Sequence, residues 1–324
     1  MTLTPHSEVA AILQNFGAFP LTGRAFLRVT GTDATRWLNG MVTNSTQSLV
    51  PGEGNYNFLL NAQGRIQGDC TIYRNGEEFL LETDRSQVAT IQQHLDRFII
   101  MDDVELLPIM DDQHGVVVAG PRAAEVLATL ALPAPGQHHM ARAMHRGGPV
   151  LILAPHAPVV PLYEVWASPE VIAAILSSMV TPVISPDTVE QLRILSGTPR
   201  FGQDIRNSDT VRDLPQETNQ THALHFAKGC YLGQEIVERI RSRGQVHRLF
   251  TGFRLTALPT SFPVPLTSSG RPVGELTSAA ILPFTEGHVT FALGYVRREA
   301  LDRNLPLDFE GGTATSTNLP ITVS

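Results

Sequence analysis

The texture of the chain changes at Arg248, and that break limits the folds open to its 324 residues. Upstream, strand-like and helix-like stretches alternate without a strict βαβ rhythm. Downstream, short strands at 249–255, 274–277 and 289–295 are separated by Pro, Gly and Ser, with no convincing long helix until the end. No period of 20–50 residues recurs strongly enough for a solenoid. The pattern predicts an α+β protein. Residues 1–244 hold two interleaved α+β subdomains, and residues 245–324 form a C-terminal β-barrel.

Within the first region, Arg24-Ala-Phe-Leu-Arg-Val-Thr alternates as a strand, and Gly31-Thr32-Asp33 offers a turn and cap ahead of a helix carrying Ala34, Trp37 and Leu38. Stretches 54–60 and 68–73 flank the turn Asn61-Ala-Gln-Gly64, and 78–82 follows Asn75-Gly76, so an antiparallel meander is expected. Val88, Ile91, Leu95 and Phe98 recur at spacings of three and four, which predicts a helix over 86–99 with one buried face. A second round follows: a strand at 115–120, a helix opened by Pro121 and continuing to Leu130, strands at 150–154 and 162–167, and a helix from Pro169 through Met179.

Composition removes whole classes of function. With 24 Lys+Arg against 31 Asp+Glu the formal charge is -7, which disfavours a protein that coats nucleic acid through its overall field and leaves only local basic patches. The two cysteines, Cys70 and Cys230, are far apart and form no C-x-x-C pair, so no zinc ribbon or dithiol motif is on offer and no metal site is expected. That usage fits a reducing compartment. No basic n-region precedes an apolar h-region and no run approaches 18 apolar residues, so the expectation is cytoplasmic and not membrane-bound.

One segment carries most of the information: Lys228-Gly-Cys-Tyr-Leu-Gly-Gln-Glu-Ile-Val-Glu-Arg-Ile. Two glycines, a thiol and a cation precede an amphipathic helix whose buried face is marked by Ile236, Val237 and Ile240. Exposed amides at such a start, with Lys228 beside them, suit an anionic group; a tight turn that merely caps a helix is the alternative. Cys230 has the surroundings of a reactive thiolate, or else is a small buried hydrophobe. Glu235 and Arg239 stand four apart in the favourable order. Downstream, Arg239, Arg241, Arg243, His247, Arg248 and Arg254 form a basic run, read either as a solvated face or as a local anion site on an acidic protein.

K-G-C-Y-x-G-Q-E resembles the signature of the YgfZ family, relatives of the glycine-cleavage T-protein (aminomethyltransferase). Further stretches agree along nearly the whole chain: Val29-Thr-Gly-Thr-Asp-Ala, Asn61-Ala-Gln-Gly64 with Asp69, Gly120-Pro121, Gly197-Thr-Pro, and Leu214-Pro-Gln-Glu-Thr-Asn. The resemblance implies a T-protein-like folate-binding fold of three ring-arranged domains with a C-terminal β-barrel. It implies tetrahydrofolate, or a folate derivative, as cofactor. It places catalytic roles at Asp69 and Cys230 and cofactor binding at Lys228, Gly229, Tyr231, Gly233, Gln234, Glu235 and Arg239.

Departures from the T-protein favour the YgfZ branch. Where T-proteins carry R-x-E-x-G, with a Glu that anchors the pterin, this chain has Arg193-Ile-Leu-Ser-Gly197, so Leu195 replaces the acid and Glu190 lies on a different helical face. Of the Y-T-G-E-x-G segment only the Glu164 position remains, and T-proteins lack the Cys of K-G-C-Y. The branch implies a folate-binding accessory protein for assembly or repair of iron-sulfur clusters in selected enzymes, including tRNA-modifying ones. Its partners are folate and iron-sulfur client or assembly proteins, without direct nucleic acid or membrane contact. Two other readings stand beside it: a one-carbon (aminomethyl) transferase with Asp69 as acid-base group, and a binding protein for another anionic heterocycle. Cys230 alone cannot hold a cluster, because four ligands are usual.

Overall fold

The computed structural model describes residues 3–4, 7–109, 114–179, 184–208, 211, 213–244 and 246–323. The chain divides into two compact units. A two-sheet unit comprises Gln14–Val183 and His222–Ile236; a barrel unit comprises Met1–Leu13, Ile184–Thr221 and Val237–Ser324.

The two-sheet unit repeats one plan. Its first antiparallel sheet has the order Gly54–Leu60, Ile66–Asn75, Glu78–Asp84, Arg24–Thr30, Glu105–Ile109, so the meander forms and the earlier strand inserts beside its last member. Period-two alternation decides the faces. Leu27, Val29, Leu59, Cys70, Ile72, Phe79 and Leu81 pack under the helices Ala34–Met41 and Val88–Asp96 through Trp37, Leu38, Ile91 and Leu95. The second sheet has the order Gly17–Leu21, His114–Ala119, Leu162–Ala167, Gly148–Ala154, His139–His145, and buries one face under the helices Ala123–Thr129 and Pro169–Ser178. The opposite faces of the sheets meet. Phe26, Tyr73 and Leu80 of the first pack with Met140, Leu153 and Trp166 of the second, and the Phe26 and Trp166 rings lie edge to face at 4.8 Å.

Several local expectations change. Asp33 does not cap its helix: its carboxylate accepts the Asp103 N–H at 2.9 Å, while Asp103 accepts the Thr32 N–H and hydroxyl at 3.1 and 2.8 Å. Gly31 sits there at φ +114, where a Cβ would lie 2.0 Å from the Asp103 carbonyl oxygen, so the glycine is needed for a loop-to-loop clamp. The helix expected over 86–99 begins as a 3-10 turn, Arg85–Gln87, and Pro121 lies in the turn ahead of Ala123–Thr129. The edge strands Gly17–Leu21, Glu105–Ile109 and His139–His145 are additional to the sequence reading; their short or polar-rich patterns give little periodic signal.

In the barrel unit the strands Arg248–Leu255, Gly287–Arg297, Arg271–Phe284, Val264–Ser268, Leu307–Phe309 and Gly312–Thr317 close on themselves in that order, because Arg248–Leu255 also pairs with Gly312–Thr317. Closure leaves no free sheet edge. Phe253, Leu266, Leu276, Ala292 and Val296 fill it. The helix Pro186–Ser196 of this unit starts at Ser185, whose hydroxyl accepts the Thr188 N–H, and stops at left-handed Gly197.

Candidate functional site

The sheet alternation that sends Cys70 and Ile72 toward the helices turns Asp69 and Tyr73 to the inter-sheet face. Asp69 is held there at both carboxylate oxygens and at its backbone. The Tyr56 hydroxyl donates to Oδ2 at 2.6 Å, and Gln87 closes a two-point clamp: its Nε2 donates to Oδ1 at 2.8 Å while its Oε1 accepts the Asp69 N–H at 3.1 Å. The Thr83 hydroxyl donates to the Asp69 carbonyl at 2.7 Å. Gln87 is delivered by the 3-10 turn, itself capped when Asp84 accepts the Ser86 N–H at 2.9 Å. Gly68 lets that turn approach, since a Cβ there would lie 2.9 Å from Ile91 and 3.2 Å from the Gln87 oxygen. Burial, and then the Asp69 charge, push the Tyr56 hydroxyl well above its ordinary pKa, so it remains a donor.

The same face carries three further ionisable side chains. Arg24 forks onto both oxygens of Glu82, which is 2% exposed. Burial alone would lower the Arg24 pKa; the Glu82 charge and hydrogen bonds reverse this and raise it. Glu164, on the facing sheet, accepts the Trp166 indole N–H at 3.0 Å and is pushed up to about 8, first by burial and then by the Glu82 charge, against the opposing pull of Arg24. It is therefore mostly protonated at neutral pH. The buried Tyr73 hydroxyl has no hydrogen-bond partner among the described residues. The face thus offers an anchored carboxylate at Asp69, a neutral carboxyl at Glu164 and a hydroxyl with spare hydrogen-bonding capacity.

An aromatic ladder extends from Tyr56. His222 lies 5.4 Å from the Tyr56 ring, His156 stacks on His222 at 4.0 Å, and His138 stacks on His156 at 5.6 Å. Burial lowers the pKa of all three imidazoles, His222 to about 4. Sequence reading missed Tyr56, Gln87, Arg24, Glu82 and these histidines. A charged residue on an apolar strand was available as a signal at Glu82; single histidines in unrelated loops gave none.

The signature segment is built differently from an anion cradle. The Lys228 ammonium, in place of an anion, meets three backbone carbonyls at the end of the helix Ala34–Met41: Asn39 at 2.6 Å, Val42 at 2.7 Å and Asn44 at 2.6 Å. Three N–H donors are thereby used, at the helix end where a cation is favoured. Burial pulls its pKa down, to about 7, while the three carbonyl acceptors and the Tyr231 ring, centred 5.0 Å from Nζ, favour the charged form. Tyr231 is itself buried. Three amides of the loop leading into the helix Gln234–Arg243 are engaged as well: Leu232 N–H donates to the Gly40 carbonyl, Gln234 N–H to the Tyr231 carbonyl, and Tyr231 N–H to the Gln234 side chain.

The two glycines part company. Gly233 at φ +84 is required, because a Cβ would lie 2.6 Å from the Asn61 carbonyl and 3.1 Å from Gly64. Gly64, at φ +70, would meet Ile236 at 2.8 Å. The Asn61-Ala-Gln-Gly64 turn and the signature therefore lock backbone to backbone. Gly229 has open space where a Cβ would go. Between the Lys228 clamp and buried Tyr231, Cys230 is exposed, whereas Cys70 is buried in the core. Glu235 and Arg239 are exposed on their helix.

The basic run is divided. Arg248 turns into the barrel unit, reaching Asp213 at 2.5 Å and Glu217 at 3.1 Å and lying over the Tyr295 ring, and Arg241 pairs with Glu238 at 3.6 Å. The Arg243 side chain lies outside the described residues. Leu195 is fully buried in the barrel unit, and Glu190 binds Arg193 and Arg200. Among the described residues no group of three or more His, Cys, Asp or Glu is placed to hold a metal ion, and no helix is long and apolar enough to cross a membrane.

Comparison with known proteins agrees with this construction. Residues 3–151 match the family described as GCVT N-terminal domain. The iron-sulfur cluster assembly factor IBA57 homolog, mitochondrial, of Neurospora crassa is 27% identical over 72% of this chain, which spans 52% of that relative's length. The human mitochondrial iron-sulfur cluster assembly factor IBA57 is 28% identical over 86% of this chain and 77% of its own. The crystal structure of the glycine cleavage system aminomethyltransferase T from Bartonella henselae superposes with a TM-score of 0.84 at 19% identity, covering 99% of this chain and 91% of that one. The fold is thus that of the aminomethyltransferase, with a closed six-stranded barrel in the C-terminal region.

Proposed function

We propose that the protein is a tetrahydrofolate-binding accessory factor for assembly or repair of iron-sulfur clusters in selected enzymes, tRNA-modifying ones among them, acting in the cytoplasm as a member of the YgfZ branch. The observation that carries this reading is the presentation of Cys230: a half-buried lysine with three carbonyl partners and a buried tyrosine fix the loop, and the thiol between them is exposed. Relatives named as iron-sulfur cluster assembly factors support it.

The donor set of the two-sheet unit fits a reduced pterin. Asp69 would hold ring N–H groups, Glu164 in its neutral form would donate to a ring heteroatom, and the unpartnered Tyr73 hydroxyl would gain a bond. Tetrahydrofolate supplies nucleophilic nitrogens that carry a one-carbon unit. Asp69 is positioned to accept a proton, and the Tyr56 and Gln87 bonds fix the direction of its lone pairs. The cluster or its iron is cargo, for which Cys230 would serve as one shared ligand and a client would supply the rest. Calorimetric titration with tetrahydrofolate tests the cofactor; a protein that gives no heat and no competition by other pterins refutes it.

A second reading, an aminomethyl transferase, is favoured by one observation: the Asp69 carboxylate is oriented at both oxygens, as an acid-base group requires. It predicts methylenetetrahydrofolate formation from an aminomethyl donor. Unchanged turnover in Asp69→Ala would eliminate it.

A further inference from the structure

We propose that the cleft of the barrel unit beside the end of the strand Gly287–Arg297 is a docking site for an acidic segment of a partner protein. The cleft encloses about 640 Å³ and its walls carry His247, Arg297, Arg298, Arg303, Glu299 and Asp302. The Arg298 N–H donates to the His247 carbonyl at 2.9 Å and ties the two walls together.

Strand register makes the case for unused charge. Arg248 and Arg297 are directly paired on adjacent strands of the barrel, yet they have opposite environments. Arg248 is neutralised by Asp213 and Glu217. Arg297 is exposed and Arg298 half-buried, and neither has an ion pair or side-chain hydrogen bond among the described residues. Arg303 is engaged by Glu299 at 2.9 Å. Two guanidinium forks therefore face a concave surface with their donors uncommitted, and that fork matches a carboxylate in shape and charge.

Size and net charge select the occupant. About 640 Å³ accommodates several side chains, more than a single inorganic ion needs. A long polyphosphate chain would be repelled by the overall charge of -7, whereas a short acidic segment needs only local complementarity. Asp302 and Glu299 within the cleft disfavour a contiguous acidic run and favour acids spaced apart. This partner site involves neither Asp69 nor Cys230 and goes beyond the folate and cluster reading.

The test is fluorescence anisotropy of the full chain with a labelled twelve-residue peptide alternating Glu and Ser, which needs neither folate nor a cluster. The expected result is saturable binding that weakens several-fold between 50 and 200 mM salt, by about tenfold or more in Arg297→Glu/Arg298→Glu, and by less in Arg297→Gln/Arg298→Gln. Asp302→Asn should tighten it about two- to fivefold. An unchanged thermal midpoint in the glutamine variant confirms that it is folded. Absence of binding, equal affinity in folded wild type and variants, or displacement by inorganic phosphate or duplex DNA as readily as by unlabelled peptide would overturn the proposal.

Discussion

In the barrel unit, buried Asp204 is met by four donors: Arg193 at 2.6 Å, the Arg200 N–H at 2.9 Å, and the Thr277 and Ser278 hydroxyls at 2.5 and 2.8 Å. In the two-sheet unit, buried Glu164 receives among the described residues only the Trp166 indole, and beside it Tyr73 keeps a hydroxyl without a partner. Arg24 is engaged by Glu82, and Asp69 by neutral donors. The two networks contain similar residues but have different uses. A carboxylate with its acceptor positions filled contributes to one fixed structure, whereas a face with unfilled positions can accept a ligand's polar atoms without first breaking internal bonds.

The strongest way to break the contrast is Arg193→Met. It leaves buried Asp204 without its cation and Glu190 with Arg200 alone, and the expected cost is about 3–5 kcal/mol in chemical denaturation. A cost below about 1 kcal/mol would mean that the barrel network is not a stability element. Lys228→Met comes next: three carbonyls lose their donor, at about 1–3 kcal/mol, with faster hydrogen exchange in 39–44 and 228–231. Slow exchange there would show that the loop is fixed by other means.

Glu164→Gln tests the unsaturated side. Folded Glu164 keeps its proton to about pH 8, while in the unfolded chain it is lost near 4.5, so wild-type stability should fall as pH rises between those values, by about 1.4 kcal/mol per unit at most. The glutamine variant should lose that slope and match wild type within about 1 kcal/mol near pH 5. Retention of the slope would show that Glu164 is not its source. His222→Phe should have the smallest effect at pH 7, under about 1 kcal/mol, because stacking on Tyr56 and His156 persists. On acidification the sign is opposite to that of Glu164. The imidazole is neutral when folded down to about pH 4 but protonates near 6.5 when unfolded, so its contribution is lost as pH falls through that window, and the variant should resist acid better than wild type.

Much of the architecture was legible because it rests on periodicity. The meander, the helix face of Val88, Ile91 and Leu95, and the barrel after Arg248 follow from alternation, spacing and turn residues. Asp69 and Cys230 were legible as positions, through the motifs around them. What Lys228 does was not, because its carbonyl partners come from residues 39–44, nearly two hundred positions away in sequence. The requirement for Gly233 follows from the turn at Asn61–Gly64, about 170 residues earlier in the chain, and the histidine ladder joins three segments that share no local pattern. Such contacts exist only once the sheets have set the register.

The central claim is that a fixed loop presents Cys230 for cluster work while folate is held elsewhere in the two-sheet unit. The most direct measurement is the activity of an iron-sulfur client enzyme under oxidative stress, in cells whose only copy of the protein is Cys230→Ser. Calorimetry on the same purified variant establishes that tetrahydrofolate binds as in wild type. The account predicts lost client activity with folate binding retained. Full client activity in those cells would contradict it.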